Sequence, residues 1–128
     1  MKIILEMNQK QAIVLMDALE TFSRIKMGQF DVIQTAFVLR DFDRQIASSY
    51  AKALRRTIMP ELSDNAYYGI FSKEAGTGAE AWDVYQVIRH AIAWKRNPRG
   101  GMTIDYDKPM AASKEPLSKI TIVTGEQI

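Results

Sequence analysis

Trp82-Asp83-Val84-Tyr85-Gln86-Val87-Ile88-Arg89-His90-Ala91-Ile92-Ala93-Trp94-Lys95-Arg96 reads as one helix with two unlike faces. At about 100° per residue, Val84, Ile88, Ala91 and Ile92 form an apolar stripe with Tyr85 at its edge. The opposite arc carries Asp83, Gln86, Arg89 and His90, bracketed by Trp82 and Trp94. A merely solvated arc would carry Lys and Glu. An indole is costly to leave in water, so tryptophan on a polar arc needs cover from the chain itself, a partner or a ligand. This arc is the first candidate binding face.

Working outward, Thr77 and Glu80 have the spacing of a capping pair that would start this helix. Asn97-Pro98-Arg99-Gly100-Gly101 stops it. Upstream, Asn8 and Gln11 form a second capping pair, opening a helix from about Gln9 to Met27. That helix carries Ala12, Leu15, Met16, Leu19 and Phe22 at intervals of three and four, and Gly28 ends it. Gln29 to about Leu39 is apolar and helix-compatible. From about Asp41, the positions Phe42, Ile46, Tyr50, Ala53 and Leu54 keep a helical spacing that closes before Pro60. Three runs read as short strands: Lys2 to Met7, Met102 to Tyr106, and the β-branched Lys119 to Thr124. The pattern predicts a single α+β domain over residues 1–128, with three or four helices packed on a small antiparallel sheet of about three strands. Two exposed sheet edges would favour a homo-oligomer.

The chain has 128 residues, 47% hydrophobic and 25% charged, with a formal net charge of +2. Those totals fit one globular core and exclude disordered, collagen-like and coiled-coil classes. So small a positive balance disfavours nucleic acid as the partner, since phosphate neutralisation needs a dense basic stripe. Arg40, Arg44, Lys52, Arg55 and Arg56 gather cations on one segment, but Asp41 and Asp43 intersperse them, as on a solvated face. The apolar run at the N-terminus is short and stops at Glu6, and no window approaches the 18 apolar residues of a membrane span. A soluble, cytoplasmic protein is expected.

Catalytic chemistry finds little support. Without cysteine and with one histidine, a Cys–His pair is excluded. A serine triad would rest on His90, with Asp83 about 10 Å away along the helix axis. Neither HExxH nor DxDxDG spacing is present, so no metal and no cofactor is expected. Asp105 and Asp107 are the best-placed acid pair, and two solvated acids at a strand end explain them as well. No GxxxxGK[ST] or GxGxxG loop occurs. Gly76-Thr77-Gly78 before a helix N-terminus and Arg99 beside two glycines could meet an anion, or could simply start and stop a helix. Around Gly28, Arg24, Gln29 and Phe30 either complement a helix C-terminus or face a ligand. Tyr67 and Tyr68 stand beside Gly69 in a loop suited to stacking a planar ring or to anchoring in the core.

The residues therefore nominate Arg24, Gln29, Phe30, Tyr67, Tyr68, Trp82, Gln86, Arg89, His90, Trp94 and Arg99 as ligand-binding. Stacking rings beside forked guanidiniums, without a nucleophile or a metal cage, point to a non-enzymatic binder of a small anionic nucleotide-like ligand. Two alternatives share that face: a protein-binding inhibitor or accessory factor, and a nucleic-acid-associated protein.

Several segments resemble small proteins of bacteriophages and prophages. They are Ala18-Leu19-Glu20-Thr21-Phe22-Ser23-Arg24 into Met27-Gly28-Gln29-Phe30, Tyr68-Gly69-Ile70, Ala81 through His90, Asn97 through Gly101, and Lys108-Pro109-Met110 through Lys114-Glu115-Pro116-Leu117. The likeness runs along nearly the whole chain and includes no catalytic motif. It implies a phage protein acting in the host cytoplasm. By analogy it implies an anti-defence role, sequestering a nucleotide immune signal such as a cyclic dinucleotide or a cyclic ADP-ribose derivative.

Overall fold

The computed structural model describes residues 1–125, and every regular element among them is helical. Three α-helices, α1 (Gln9–Lys26), α2 (Asp41–Ile58) and α3 (Thr77–Arg96), are joined by irregular segments. These hold three short 3-10 turns, Phe30–Ala36, Lys73–Ala75 and Ile104–Tyr106. The expected α+β class is therefore wrong: no strand and no sheet form among the described residues. Lys2 to Met7 and Lys119 to Thr124 form no regular element and have no ladder partner, and β-branched composition cannot make a strand without one. Met102 to Tyr106 instead tightens into the last 3-10 turn, which carries Tyr106 onto α3. The sheet-edge argument for oligomerisation falls with the sheet.

Helix α1 begins and ends as its sequence dictates. The Asn8 side chain accepts from the Gln11 N–H at 2.9 Å, and Gln11 Oε1 accepts from the Asn8 N–H at 3.0 Å, a complete capping box. At the other end, the Gln29 N–H donates to Arg24 O at 2.8 Å and the Gly28 N–H to Ile25 O at 3.0 Å. This is a Schellman closure, and it needs the left-handed backbone that Gly28 adopts at φ +91°. The predicted capping pair of α3 does not form. Thr77 is the first helical residue, Gly76 is the cap at φ +53°, and no side chain caps the helix.

α1 and α3 are the packed pair, and they approach closely because the residues where they cross, Ser23 and Gly78, are small. Fully buried Ser23 places its hydroxyl 2.8 Å from Gly78 O. A Cβ on Gly78 would lie 2.8 Å from Lys26 Cβ. Met27, Phe30, Ala75, Ala79, Ala81, Tyr85, Val87 and Ile88 complete the core. The stripe expected on α1 is only half buried, and Phe22 is exposed.

α2 is attached differently. It packs chiefly on the Phe30–Ala36 turn, and it ends over the loop from Met59 to Tyr68. Buried Arg55 holds that loop: Nη1 donates to Asp64 O at 2.8 Å, and Nη2 donates to Ser63 O at 2.8 Å and to Ala66 O. The guanidinium thereby ties three loop carbonyls together, one of which, Ser63 O, also accepts from the Ala66 N–H at 3.1 Å.

Candidate functional site

Two guanidiniums and two aromatic rings form a continuous stack along one side of the α1–α3 pair. The Arg24 guanidinium lies 5.7 Å from the Trp82 ring centroid, Trp82 lies 5.1 Å from Tyr85, and the Arg89 guanidinium lies 5.3 Å from Tyr85. The order Arg24–Trp82–Tyr85–Arg89 follows from helical spacing. Trp82, Tyr85 and Arg89 are three and four apart on α3, and Arg24 reaches across from the last turn of α1.

Each arginine is braced by one acid and one glutamine. Arg24 Nε meets Glu20 Oε1 at 2.9 Å, and Nη1 donates to Gln29 Oε1 at 2.8 Å. Arg89 Nη2 donates to Gln86 Oε1 at 2.5 Å, and its Nε lies 3.2 Å from Asp105 Oδ1. The latter pair is close enough for an ion pair, yet its angle misses a hydrogen bond and Nε stays unsatisfied. Arg89 Nη1 also reaches the Tyr85 hydroxyl at 3.3 Å. Burial pushes that phenol above its ordinary range, and the neighbouring guanidinium pulls the other way. Arg24 and Arg89 are thus each held by side-chain partners within the chain.

The rest of the nominated α3 arc packs against the chain's own C-terminal segment, with Trp94 still 40% exposed. His90 Nδ1 lies 3.3 Å from Asp105 O, and Trp94 Nε1 donates to Tyr106 O at 3.2 Å. The Trp94 and Tyr106 rings meet edge-on at 5.5 Å. Gly100, at φ +79°, lies flat on the indole, where a Cβ would sit 2.8 Å from Trp94 Cη2. Asp83 pins the same segment from below. The buried carboxylate accepts from the Ala112 N–H at 2.5 Å, the Ser113 N–H at 3.1 Å and the Ser113 hydroxyl at 2.6 Å. His90 and Trp94 therefore serve this packing, and Arg99 stands exposed on the turn beyond it.

A second feature adjoins the stack. A cleft of about 1370 Å³ opens between α1, the Phe30–Ala36 turn and α2. Arg24, Gln29, Phe30 and Tyr67 line it, with Phe22 and Lys52. Arg24 and Gln29 thus belong to both stack and cleft. Phe30 is buried at the cleft floor, and Tyr67 is exposed at its rim. Tyr68 is elsewhere: its N–H donates to Met27 O at 2.8 Å and its hydroxyl to Glu61 Oε1 at 2.5 Å. That bond holds the phenol up at about 12 and Glu61 below its ordinary range. The two tyrosines do not form one platform.

Of the nominated residues, Arg24, Gln29, Trp82, Gln86 and Arg89 come together. Sequence reasoning missed Tyr85 as a member of the stack, Glu20 and Asp105 as the acids that brace it, and Asp83 as the clasp. The i,i+4 spacing of Glu20 with Arg24 and of Tyr85 with Arg89 was the available signal. No cluster of three His, Asp or Glu side chains able to hold a metal occurs among the described residues. No described helix is long and apolar enough to cross a membrane. The chain matches no protein-family model, no curated protein and no solved structure.

Proposed function

We propose that this chain is a non-enzymatic binder that sequesters a small anionic, nucleotide-like ligand in a host cytoplasm, in the manner of a phage anti-defence protein. One observation carries the reading: Arg24 and Arg89 flank a Trp82–Tyr85 ring pair, each oriented by its own glutamine. A guanidinium matches phosphate oxygens in a fork, the half-buried Trp82 ring offers apolar surface to a base, and preorganisation lowers the entropy lost on binding. Glu20 and Asp105 act as placeholders that a phosphate displaces. The cleft beside Arg24 gives the remainder of the ligand room.

The test is a thermal-shift series against nucleotides, including cyclic dinucleotides and cyclic ADP-ribose. The released ligand is then examined by mass spectrometry. Stabilisation with intact ligand supports sequestration. Altered ligand replaces the reading with an enzyme, and no shift at millimolar concentration removes it. A protein-binding role is the second reading. Its support is the same arginine and tryptophan chemistry, which also makes interface hot spots. Recovery of one stoichiometric host protein, with no nucleotide response, would favour it.

A further inference from the structure

The α2 wall of the cleft holds a buried cation without a counter-ion. Arg55, on the last turn of α2, lines the cleft and is only 9% exposed. Its Nη atoms are committed to the carbonyls of Asp64, Ser63 and Ala66, which supply dipoles but no negative charge. The Asp64 carboxylate turns to Arg56 instead, at 3.0 and 2.8 Å. Among the described residues no acid lies within ion-pair distance of Arg55, and its Nε has no acceptor. A buried arginine is normally paired, because charge taken from water without compensation is costly. Lys52, three residues earlier on α2, lines the same cleft, exposed and likewise outside every ion pair among the described residues.

The turn at Gly28 brings this wall to Arg24. Arg24 Nη1 donates to Gln29 Oε1 at 2.8 Å, and a Cβ on the neighbouring Gly28 would lie 3.4 Å from Arg55 Nε. Both guanidiniums therefore belong to one end of the cleft, with Lys52 about one helical turn from Arg55. The acids of the cleft leave this charge standing. Glu20 is taken by Arg24, while Asp17 on α1 and Asp31 on the Phe30–Ala36 turn are exposed and pair with neither Lys52 nor Arg55.

We infer that this wall receives the end of a linear phosphate chain, an assignment that rests on the nucleotide reading above and narrows it to a nucleoside polyphosphate. The base lies at Trp82, the first phosphate at Arg24 and the terminal phosphate at Lys52. Lys52 makes the contact, since an ammonium on a flexible stem can follow a phosphate in an open cleft. The Nη donors of Arg55 are already spent, so it acts through the field of a charge held in low-dielectric surroundings. A phosphate monoester carries about −1.5 to −2 at neutral pH, which suits two uncompensated cations. A cyclic nucleotide has no such end. Room is sufficient: the cleft holds about 1370 Å³, against roughly 300–1000 Å³ for an ordinary small-molecule site.

The experiment titrates the full chain by calorimetry with adenosine monophosphate, cyclic adenosine monophosphate, adenosine triphosphate and inorganic triphosphate. The nucleoside triphosphate should bind about tenfold tighter than the monophosphate, the factor that one charge-assisted hydrogen bond allows. Lys52→Gln should remove that gain and leave monophosphate affinity unchanged. Lys95→Gln, the same charge change at the exposed end of α3, should preserve the gain. Equal affinity for the monophosphate and the triphosphate would overturn the inference while keeping a nucleotide site. So would a cyclic nucleotide that binds tighter than the triphosphate, or a gain that survives Lys52→Gln. Inorganic triphosphate that binds through Lys52 when no nucleotide does would support the phosphate wall and remove the nucleotide reading. No binding of any of the four probes would overturn both.

Discussion

The Arg24 guanidinium sits 5.7 Å from the ring centroid of Trp82, and this contact joins the last turn of α1 to the first half of α3. Arg24 is also held by Glu20 and Gln29, so three groups fix one cation over one indole. A cation held this way contributes only modestly to folding, since its ion pair is partly exposed, whereas the proposed function makes it an anion contact. Its substitution should therefore separate binding from stability. Arg24→Ala should weaken a nucleotide probe at least tenfold, hydrogen bonds to charged groups contributing ~1.5–3 kcal/mol. The melting temperature should fall little. Arg24→Lys should recover only part of the affinity, because an ammonium lacks the fork. Titration of a Trp94→Phe background, which leaves Trp82 as the sole indole, reads the effect as fluorescence quenching.

The clasp at Asp83 makes the opposite prediction. Its carboxylate accepts three hydrogen bonds from Ala112 and Ser113 while being nearly buried. Asp83→Ala would leave two backbone N–H groups and a hydroxyl without acceptors. The expected loss is ~2–4 kcal/mol, at the level of a broken buried network. Limited trypsin digestion should show it first, as cleavage after Lys114, because the segment over α3 is what the clasp secures.

Close approach at Gly78 gives a third outcome. Gly78→Ala would place a Cβ 2.8 Å from Lys26 Cβ, and Ser23 behind it is fully buried and cannot retreat. Helix propensity favours alanine by about 1 kcal/mol, but overpacking costs ~1–3 kcal/mol. The net result should be a lower urea midpoint with an unchanged slope. Gly69→Ala, where a Cβ meets nothing, is the control.

How much of this was legible in the sequence divides by range. Two local signals held, the Asn8–Gln11 box and the Gly28 stop, each of which depends on residues within one turn, whereas the equally local Thr77–Glu80 pair does not cap α3. Long-range pairing did not. The runs at Lys2, Met102 and Lys119 have strand composition, but strand formation depends on a neighbour that composition does not name. On α3, Trp82 and Trp94 share a polar arc in sequence, yet Arg24 covers one and Tyr106 the other. The split arises because Gly100 and Gly101 allow the chain to fold flat over Trp94 and Tyr106. The site's arginines and glutamines were nominated from side-chain chemistry. Their acidic braces were missed because Asp105 reaches Arg89 only after that turn.

The loop after α2 should carry the acid sensitivity. Arg56 holds Asp64 below its ordinary 3.8, and the Tyr68 hydroxyl holds Glu61 below its ordinary 4.5. A carboxylate depressed in the folded chain contributes stability above its unfolded value and loses it as pH falls through the folded one. The loop should therefore loosen as pH drops below about 4, while neutral pH leaves it unchanged. At the alkaline end the sign reverses for Tyr68. Its raised value stabilises the folded loop below the unfolded range, and that support fades as pH rises towards about 12. Hydrogen exchange at the Ala66 and Tyr68 amides follows the acid limb, and phenolate absorbance follows the alkaline one. Asp64→Asn with Glu61→Gln should flatten the acid response.

Asp105 offers a test of the placeholder role, because it predicts a gain. The carboxylate sits 3.2 Å from Arg89 Nε without a hydrogen-bond angle, and it is more exposed than the guanidinium. An ion pair of this kind commands about 0.2–1 kcal/mol, so removing the charge costs the fold little. An arriving anion must displace that carboxylate and tolerate its repulsion. Asp105→Asn should therefore tighten a nucleotide probe about twofold to fivefold, the factor that the pair's own free energy allows. The gain should shrink as salt rises, since screening weakens the repulsion that was removed. If Asp105 instead anchors the Ile104–Tyr106 turn, Asp105→Asn would loosen Trp94 against Tyr106. Affinity would then fall together with the near-ultraviolet signal of that indole. Calorimetry at two ionic strengths, paired with near-ultraviolet circular dichroism, distinguishes a displaced placeholder from a structural brace.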